Sequence, residues 1–89
     1  MIICRHILVS GKVQGVFYRD STHQQAQILG LTGYVKNLAD GNVEIQVCGE
    51  ASKLDEFVIW LWKGPILADV TGIHSKEIPL VDYAVFRIE

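Results

Sequence analysis

The chain has 89 residues, of which 49% are apolar and 20% charged, and its formal net charge is −2. This length fits one domain, residues 1–89, which can bury enough surface to fold without a metal or a disulfide framework. The basic residues are scattered, which argues against a surface that binds nucleic acid. The chain has no stretch of roughly 20 apolar residues that could span a membrane, and no signal peptide is recognisable at its start. We therefore predict a cytoplasmic protein.

Alternation and helical spacing predict six elements in the order strand, helix, strand, strand, helix, strand. They cover residues 3–10, 21–29, 32–37, 43–49, the run between Ser52 and Gly64, and residues 83–88. Asp20 or Ser21 is predicted to cap the first helix, which ends at Gly30, and Ser52 with Asp55 resembles a capping box for the second. Between the second helix and the last strand, Ala68 to Ile73 could form another strand.

The sheet topology follows from the third strand. Residues 43–49 alternate apolar and polar side chains, as a strand does when one of its faces is packed and the other is wetter. A strand of a doubly wound parallel sheet would instead be apolar throughout. We therefore predict an α+β, ferredoxin-like βαββαβ fold, in which two helices cover one face of an antiparallel sheet.

The loop from Gly11 to Arg19 has the composition of an anion site. Gly11 and Gly15 allow a tight turn that exposes main-chain N–H groups, and the following helix N-terminus adds partial positive charge. The planar guanidinium of Arg19 suits a phosphate better than a lysine would. Glycine-rich loops between a strand and a helix are often only turns, so spacing alone does not decide between a turn and a phosphate cradle.

Asn37 is the second candidate, and it lies just before the predicted hairpin turn Asp40-Gly41-Asn42. An asparagine near a hairpin is commonly a turn former. Its amide can also hold a water molecule, because it offers both donors and an acceptor. Spacing alone leaves both roles open.

Both segments resemble motifs of the acylphosphatase family. Residues 11–19, Gly-Lys-Val-Gln-Gly-Val-Phe-Tyr-Arg, are similar to the family signature G-[RK]-V-Q-G-V-x-[FY]-R. Residues 26–44 are similar to a second family stretch, A-x-x-L-G-L-x-G-[WY]-V-x-N-x-x-D-G-x-V-E. The resemblance covers nearly the whole chain. It implies the same ferredoxin-like fold and an enzyme that hydrolyses acyl phosphates to a carboxylate and inorganic phosphate, with no metal and no cofactor.

The resemblance also implies roles for individual residues. Arg19 and Asn37 would be catalytic, with Asn37 positioning the attacking water. The phosphate would be bound by the Arg19 side chain and by the main-chain N–H groups of Gln14, Gly15, Val16, Phe17, Tyr18 and Arg19. No general base is apparent, so a phosphate oxygen of the substrate would take the proton. Phe17 could narrow the mouth of the pocket, and the hydroxyl of Tyr18 needs a partner if it is buried.

The same fold occurs in proteins with other functions, and the residues on the predicted open face of the sheet help to distinguish them. An RNA-binding domain would show aromatic residues there, whereas the predicted face carries Cys4, His6, Glu44, Gln46 and Cys48, which suit base stacking poorly. A metal carrier would show a C-x-x-C loop, which the chain lacks. A regulatory module that binds an anion without turning it over is the remaining alternative. We expect a monomer whose partners are an acyl phosphate and the product phosphate, with no nucleic acid and no membrane.

The two cysteines, Cys4 and Cys48, carry a separate prediction. In the predicted sheet the first and third strands are antiparallel neighbours, and Cys4 opens one while Cys48 closes the other. Both lie on the face opposite the apolar stripes, so they are candidates for a disulfide or for facing thiols. A cytoplasmic location favours reduced thiols instead. Titration of free thiols in the denatured, unreduced protein decides between the two.

Overall fold

A five-stranded sheet with two helices makes up the fold of residues 1–89 in the computed structural model. The elements are β1 (Ile2–Lys12), α1 (Tyr18–Ile28), β2 (Thr32–Asn37), β3 (Val43–Glu50), α2 (Ala51–Lys63), β4 (Asp69–Ile78) and β5 (Phe86–Ile88). The strand order is β4-β1-β3-β2-β5, and both helices pack on one face. This architecture confirms the predicted α+β, ferredoxin-like class. Neither helix has the length and apolar character needed to cross a membrane.

The core lies between the helices and the apolar stripes of the central strands. β1 pairs antiparallel with β3 in a register that sets Ile7 opposite Ile45 and Val9 opposite Val43, all four fully buried. Alternation therefore brings both stripes to the same face of the sheet. α2 covers that face with side chains spaced three and four residues apart, which share one side of a helix. These side chains are Leu54, Phe57 and Leu61.

The side-chain caps predicted for the two helices are absent. α1 begins at Tyr18, three residues before the prediction, because Phe17 adopts a left-handed conformation (φ 65°) and its carbonyl accepts from the N–H of Ser21 at 3.1 Å. Neither Asp20 nor Ser21 caps it. α2 begins at Ala51 directly after β3, without a side-chain cap, so the predicted capping box is absent. Its carboxylate, Asp55, instead accepts from the Arg5 guanidinium at 2.9 Å.

The end of the first helix follows the prediction. Gly30 has a φ of 69°, and its N–H donates to the carbonyl of Gln27. The N–H of Leu31 donates to the carbonyl of Ala26 at 2.9 Å. This is the hydrogen-bond pattern of a helix that ends on a left-handed residue, a conformation that glycine adopts without steric cost.

The last quarter of the chain differs most from the prediction. β4 runs from Asp69 to Ile78, beyond the predicted 68–73, and pairs antiparallel with β1 along its length. Residues 79–85 then cross the sheet on the face opposite the helices. They carry the chain to the far edge, where β5 pairs parallel with β2, so the sheet is mixed rather than antiparallel throughout. β5 keeps only Phe86–Ile88 of the predicted strand 83–88.

Cys4 and Cys48 lie under this crossing segment. They are direct partners in the β1–β3 register, their Cα atoms are 4.0 Å apart and their sulfurs are bonded to each other. The main-chain N–H of Val81 donates to Cys4 Sγ at 3.4 Å, and both cysteines are buried. The crossing segment therefore covers the pair.

A hydrogen-bonded polar cluster occupies the rest of that face. Glu44 accepts from His6 Nε2 at 3.1 Å and from the hydroxyl of Tyr34 at 2.8 Å. Burial raises the pKa of Glu44, but these two hydrogen bonds and the charge of Lys36 outweigh it, so the net pKa lies below the usual 4.5. The face also carries two aromatic rings that the alternation pattern did not reveal, Tyr34 and Tyr83, packed edge to face with centroids 6.2 Å apart.

Candidate active site

The loop between β1 and α1 forms an open cradle of main-chain amides. Gly15 and Phe17 both have positive φ, of 74° and 65°, and no atom lies within 4 Å of the position that a Cβ on Gly15 would take. None of the main-chain N–H groups of residues 14 to 19 donates to another group of the protein. The first N–H groups of a helix have no intrahelical partner, and here those of the preceding loop are unpaired as well. Such a set of amides at a helix N-terminus binds anions.

A cleft of about 240 Å³ lies beside this loop. It is lined by Val13, Gly15, Phe17, Tyr18, Arg19, Asp20, Asn37 and Ile88. The fold thus brings Arg19, from the start of α1, and Asn37, from the end of β2, into one cavity. Both residues that the motifs single out line the same space as the loop.

Arg19 contributes a charge that no protein carboxylate side chain neutralises. Its Nη1 donates to the main-chain oxygen of Glu89 at 3.0 Å, and it takes part in no ion pair. A guanidinium has five N–H donors, so one anchors the side chain and the others are free for a ligand. Asp20 lines the cleft as well but also forms no ion pair. An anion in this cleft would therefore meet a cation that is anchored by one main-chain contact and pairs with no acidic side chain.

Asn37 is the last residue of β2 and therefore lies before the hairpin turn rather than within it. It pairs with Val43 in the β2–β3 register, and the turn beyond it is held by Asp40, whose carboxylate accepts from the main-chain N–H of Asn42 at 2.9 Å. The Asn37 Oδ1 atom is buried and has no hydrogen-bond partner in the protein. An unpaired buried acceptor costs free energy and is rare. The structure thus leaves an unpaired acceptor on a residue that lines the cleft.

Gln14 has a role that the sequence pattern did not reveal. Its Nε2 donates to the main-chain oxygens of Leu38, at 2.8 Å, and of Asn42, at 2.9 Å. These two carbonyls flank the hairpin turn that follows Asn37, so one side chain joins the amide loop to the strand end that carries Asn37. No local signal could have found this contact, because its partners lie 24 and 28 residues away.

The other residues of the loop divide between core and surface. Val16 and Tyr18 are buried, so only their main-chain groups can serve the cleft. The Tyr18 hydroxyl donates to the carbonyl of Leu61 at 2.7 Å, and burial raises its pKa. That carbonyl has no helical partner because residue 65 is a proline, which has no N–H. The side chain of Phe17, in contrast, is 69% exposed at the mouth of the cleft.

The acylphosphatase family model matches residues 5–88 of the chain. The chain belongs to the acylphosphatase family. It is 48% identical over 85 residues to the acylphosphatase of Coxiella burnetii, covering 96% of this chain and 90% of that one. The fold matches a solved acylphosphatase structure from the same organism with a TM-score of 0.96, at 46% identity over 99% of this chain and 93% of the other.

A second solved structure extends this likeness. The acylphosphatase of Bacillus subtilis matches with a TM-score of 0.95 and 36% identity, covering 100% of this chain and 99% of that one. The family resemblance that the two motifs indicated is confirmed. The acylphosphatase fold therefore accounts for the complete β1–β5 arrangement that surrounds the cleft.

Proposed function

We propose that the chain hydrolyses the carboxyl–phosphate bond of acyl phosphates, releasing a carboxylate and inorganic phosphate. Membership of the acylphosphatase family supports the reaction. The observation that carries the proposal is the meeting, in one cleft, of a loop with six unpaired amides, the guanidinium of Arg19 and the unpartnered amide of Asn37.

The cradle and Arg19 supply the electrostatic part of the mechanism. Phosphoryl transfer is accelerated mainly by positioning and by balancing charge on the equatorial oxygens of the phosphoryl group. The N–H groups of residues 14–19 and the free donors of Arg19 are prearranged for such oxygens, and they need no reorganisation during the reaction. The planar fork of the guanidinium can bind two oxygens at once, which an ammonium cannot do.

Asn37 supplies the position of the nucleophile. Its amide accepts from or donates to a water molecule, whose oxygen attacks phosphorus while the bond to the acyl oxygen breaks. The carboxylate leaves with the bonding electron pair and needs little protonation. None of the three histidines lines the cleft. The water proton passes to a phosphate oxygen of the substrate, so the products are a carboxylate and dihydrogen phosphate, which then exchanges a proton with solvent to reach its equilibrium with hydrogen phosphate.

Hydrolysis of benzoyl phosphate by two variants tests the proposal. Arg19→Ala should lower kcat/KM by at least about 10²–10³, the usual cost of losing one prearranged donor, and should weaken inhibition by phosphate. Arg19→Lys should recover little of the loss. Asn37→Ala should lower kcat while leaving phosphate inhibition nearly intact. Arg5→Ala is the matched control, because Arg5 pairs with Asp55 and does not line the cleft.

The outcomes separate catalysis from mere binding. Wild-type rates in both cleft variants would refute the assignment of Arg19 and Asn37. Phosphate binding by a wild-type chain that hydrolyses no acyl phosphate would favour an anion-binding regulatory module instead. A loss in Arg5→Ala as large as that in Arg19→Ala would mean that the loss reflects general damage to the fold.

We also propose that residues 1–89 act as one independently folding, monomeric domain in the cytoplasm and need no metal or cofactor. One cluster of fifteen buried apolar residues supports the single domain. The permanent charge of Arg19 supports a reaction without a metal. Activity that survives a chelator, a monomer mass in solution and recovery in the soluble fraction of the cell are the expected results.

A further inference from the structure

We propose that Phe17 and Ile88 form a wall that binds the acyl group, so that the enzyme prefers acyl phosphates with a large apolar acyl group over those with a small one. This inference rests on the proposed function, because it requires the phosphoryl group to lie in the amide cradle. It goes further by assigning the part of the substrate that the cradle and Arg19 do not touch.

Phe17 combines two unfavourable features at the mouth of the cleft. It is the only residue other than glycine with a positive φ, and its side chain is 69% exposed. A bulky residue in the left-handed region costs roughly 1–2 kcal/mol, and such strain gathers at functional sites. The loop needs the left-handed backbone to arrange its amides, but glycine or asparagine would supply that conformation at lower cost. The backbone conformation of the loop therefore does not explain why this position carries a phenyl ring.

Ile88 provides the second apolar surface. Four apolar residues line the cleft, but Val13 and Tyr18 are only 1% exposed and belong to the core. Ile88 is 41% exposed, and its pairing with Val35 of β2 fixes its backbone. The apolar surface that a ligand can reach in the cleft is thus supplied by Phe17 and Ile88.

The connectivity of the substrate directs its acyl group toward this wall. The acyl carbon is one bridging oxygen away from the phosphorus, so a phosphoryl group on the amides of residues 14–19 keeps the acyl group close to the loop that carries the Phe17 ring. The charged side chains that line the cleft are Arg19 and Asp20. Arg19 is occupied by the phosphoryl group, and Asp20 disfavours an acidic acyl group. An apolar acyl group is the chemistry that matches the exposed surfaces of Phe17 and Ile88.

The ratio of kcat/KM for benzoyl phosphate to kcat/KM for acetyl phosphate tests the inference, because dividing each variant's ratio by that of the wild type cancels the intrinsic reactivity of the two substrates. Phe17→Asn, which tolerates the left-handed backbone, should lower the ratio by roughly tenfold. Phe17→Leu should lower it less. Ile88→Thr, which keeps a β-branched strand residue, should lower it by about threefold.

Controls separate the acyl wall from the cradle. Ile59→Thr changes an equally apolar residue on α2 that is 72% exposed and does not line the cleft, so its ratio should equal that of the wild type. Inhibition by inorganic phosphate reports on the cradle and should persist in Phe17→Asn.

Two results would overturn the inference. One is a ratio within twofold of wild type in both Phe17→Asn and Ile88→Thr. The other is an equal loss for both substrates in Phe17→Asn together with loss of phosphate inhibition, which would mean that the ring only supports the cradle. A wild-type chain that hydrolyses neither substrate would instead contradict the proposed function itself.

Discussion

Gln14→Leu tests whether the amide cradle and Asn37 are held in register by one side chain. The substitution removes the two hydrogen bonds that Gln14 donates to the carbonyls of Leu38 and Asn42. Neither carbonyl becomes unpaired, because Leu38 also accepts from the N–H of Gly41 at 3.2 Å and Asn42 from that of Leu38 at 2.8 Å. The hairpin thus keeps its own hydrogen bonds and loses only its connection to the loop.

The expected loss of stability is modest. Two hydrogen bonds are worth about 0.5–1.5 kcal/mol each, and since no buried carbonyl is left unpaired, we expect the free energy of unfolding to fall by no more than about 1–3 kcal/mol. For a domain of this size that corresponds to a Tm lower by roughly 4–24 °C. Gln14→Glu should be worse, because it places a carboxylate against two carbonyl oxygens.

The expected loss of activity is larger than the loss of stability suggests. A displacement of about 1 Å between the phosphoryl group and the water on Asn37 can cost about 10² in rate. We expect kcat for benzoyl phosphate to fall by about 10- to 100-fold, while inhibition by phosphate, which depends on the cradle and Arg19, changes little. In the Gln14→Leu background, Asn37→Ala should cost much less than it does in the wild type, because the position of the water is already lost.

Gln46→Leu is the matched control. Gln46 is a glutamine on β3 whose side chain accepts from the hydroxyl of Tyr83 on the opposite face of the sheet. The Gln46→Leu substitution should lower the Tm and leave kcat unchanged. If Gln14→Leu also lowers only the Tm, or if its effect on kcat simply adds to that of Asn37→Ala, then Gln14 has a structural role alone and the reasoning fails.

Three further predictions concern the stability of the fold. Tyr18→Phe should lower the free energy of unfolding by about 1–3 kcal/mol in denaturant titrations, since it leaves the Leu61 carbonyl unpaired. Reducing the Cys4–Cys48 bridge, which spans 44 residues, should cost up to about 4 kcal/mol by the same method; two free thiols in the denatured, unreduced protein would rule the bridge out. Because the folded pKa of Glu44 is lowered, its contribution to stability is complete above about pH 4.5 and is lost as the pH falls through the folded value. Glu44→Gln should therefore flatten the acid limb of the stability curve, and an unchanged slope would contradict this.

Much of the fold could be predicted from the sequence because its signals are local. The alternation in residues 3–10 and 43–49 and the helical spacing after Ser52 depend only on which face of an element is buried. The two motifs were enough to identify the family and to single out Arg19 and Asn37. Composition alone did not decide whether the glycine loop is only a turn or binds an anion. It also did not decide whether Asn37 forms the turn or holds a water molecule.

The absence of the predicted helix caps has a physical reason. Asp20 and Ser21 are good capping residues by local preference, but the left-handed Phe17 lets the helix begin at Tyr18 and places both residues inside its first turn. Ser52 does not cap α2, because α2 follows β3 without a gap and Ser52 lies inside the helix. In both cases the conformation of the preceding segment outweighed the preference of a single side chain.

The sequence by itself determined which segments form helices and strands, the fold class and the family, because apolar spacing and motifs are properties of neighbouring residues. Only the tertiary structure decided the path of residues 79–85 across the sheet, the parallel pairing of β5 and the tether from Gln14 to the hairpin. It also decided that Asn37 Oδ1 is buried without a partner. Each of these depends on groups that are far apart in the chain, and no local pattern encodes which distant carbonyl, strand edge or cavity a residue will meet.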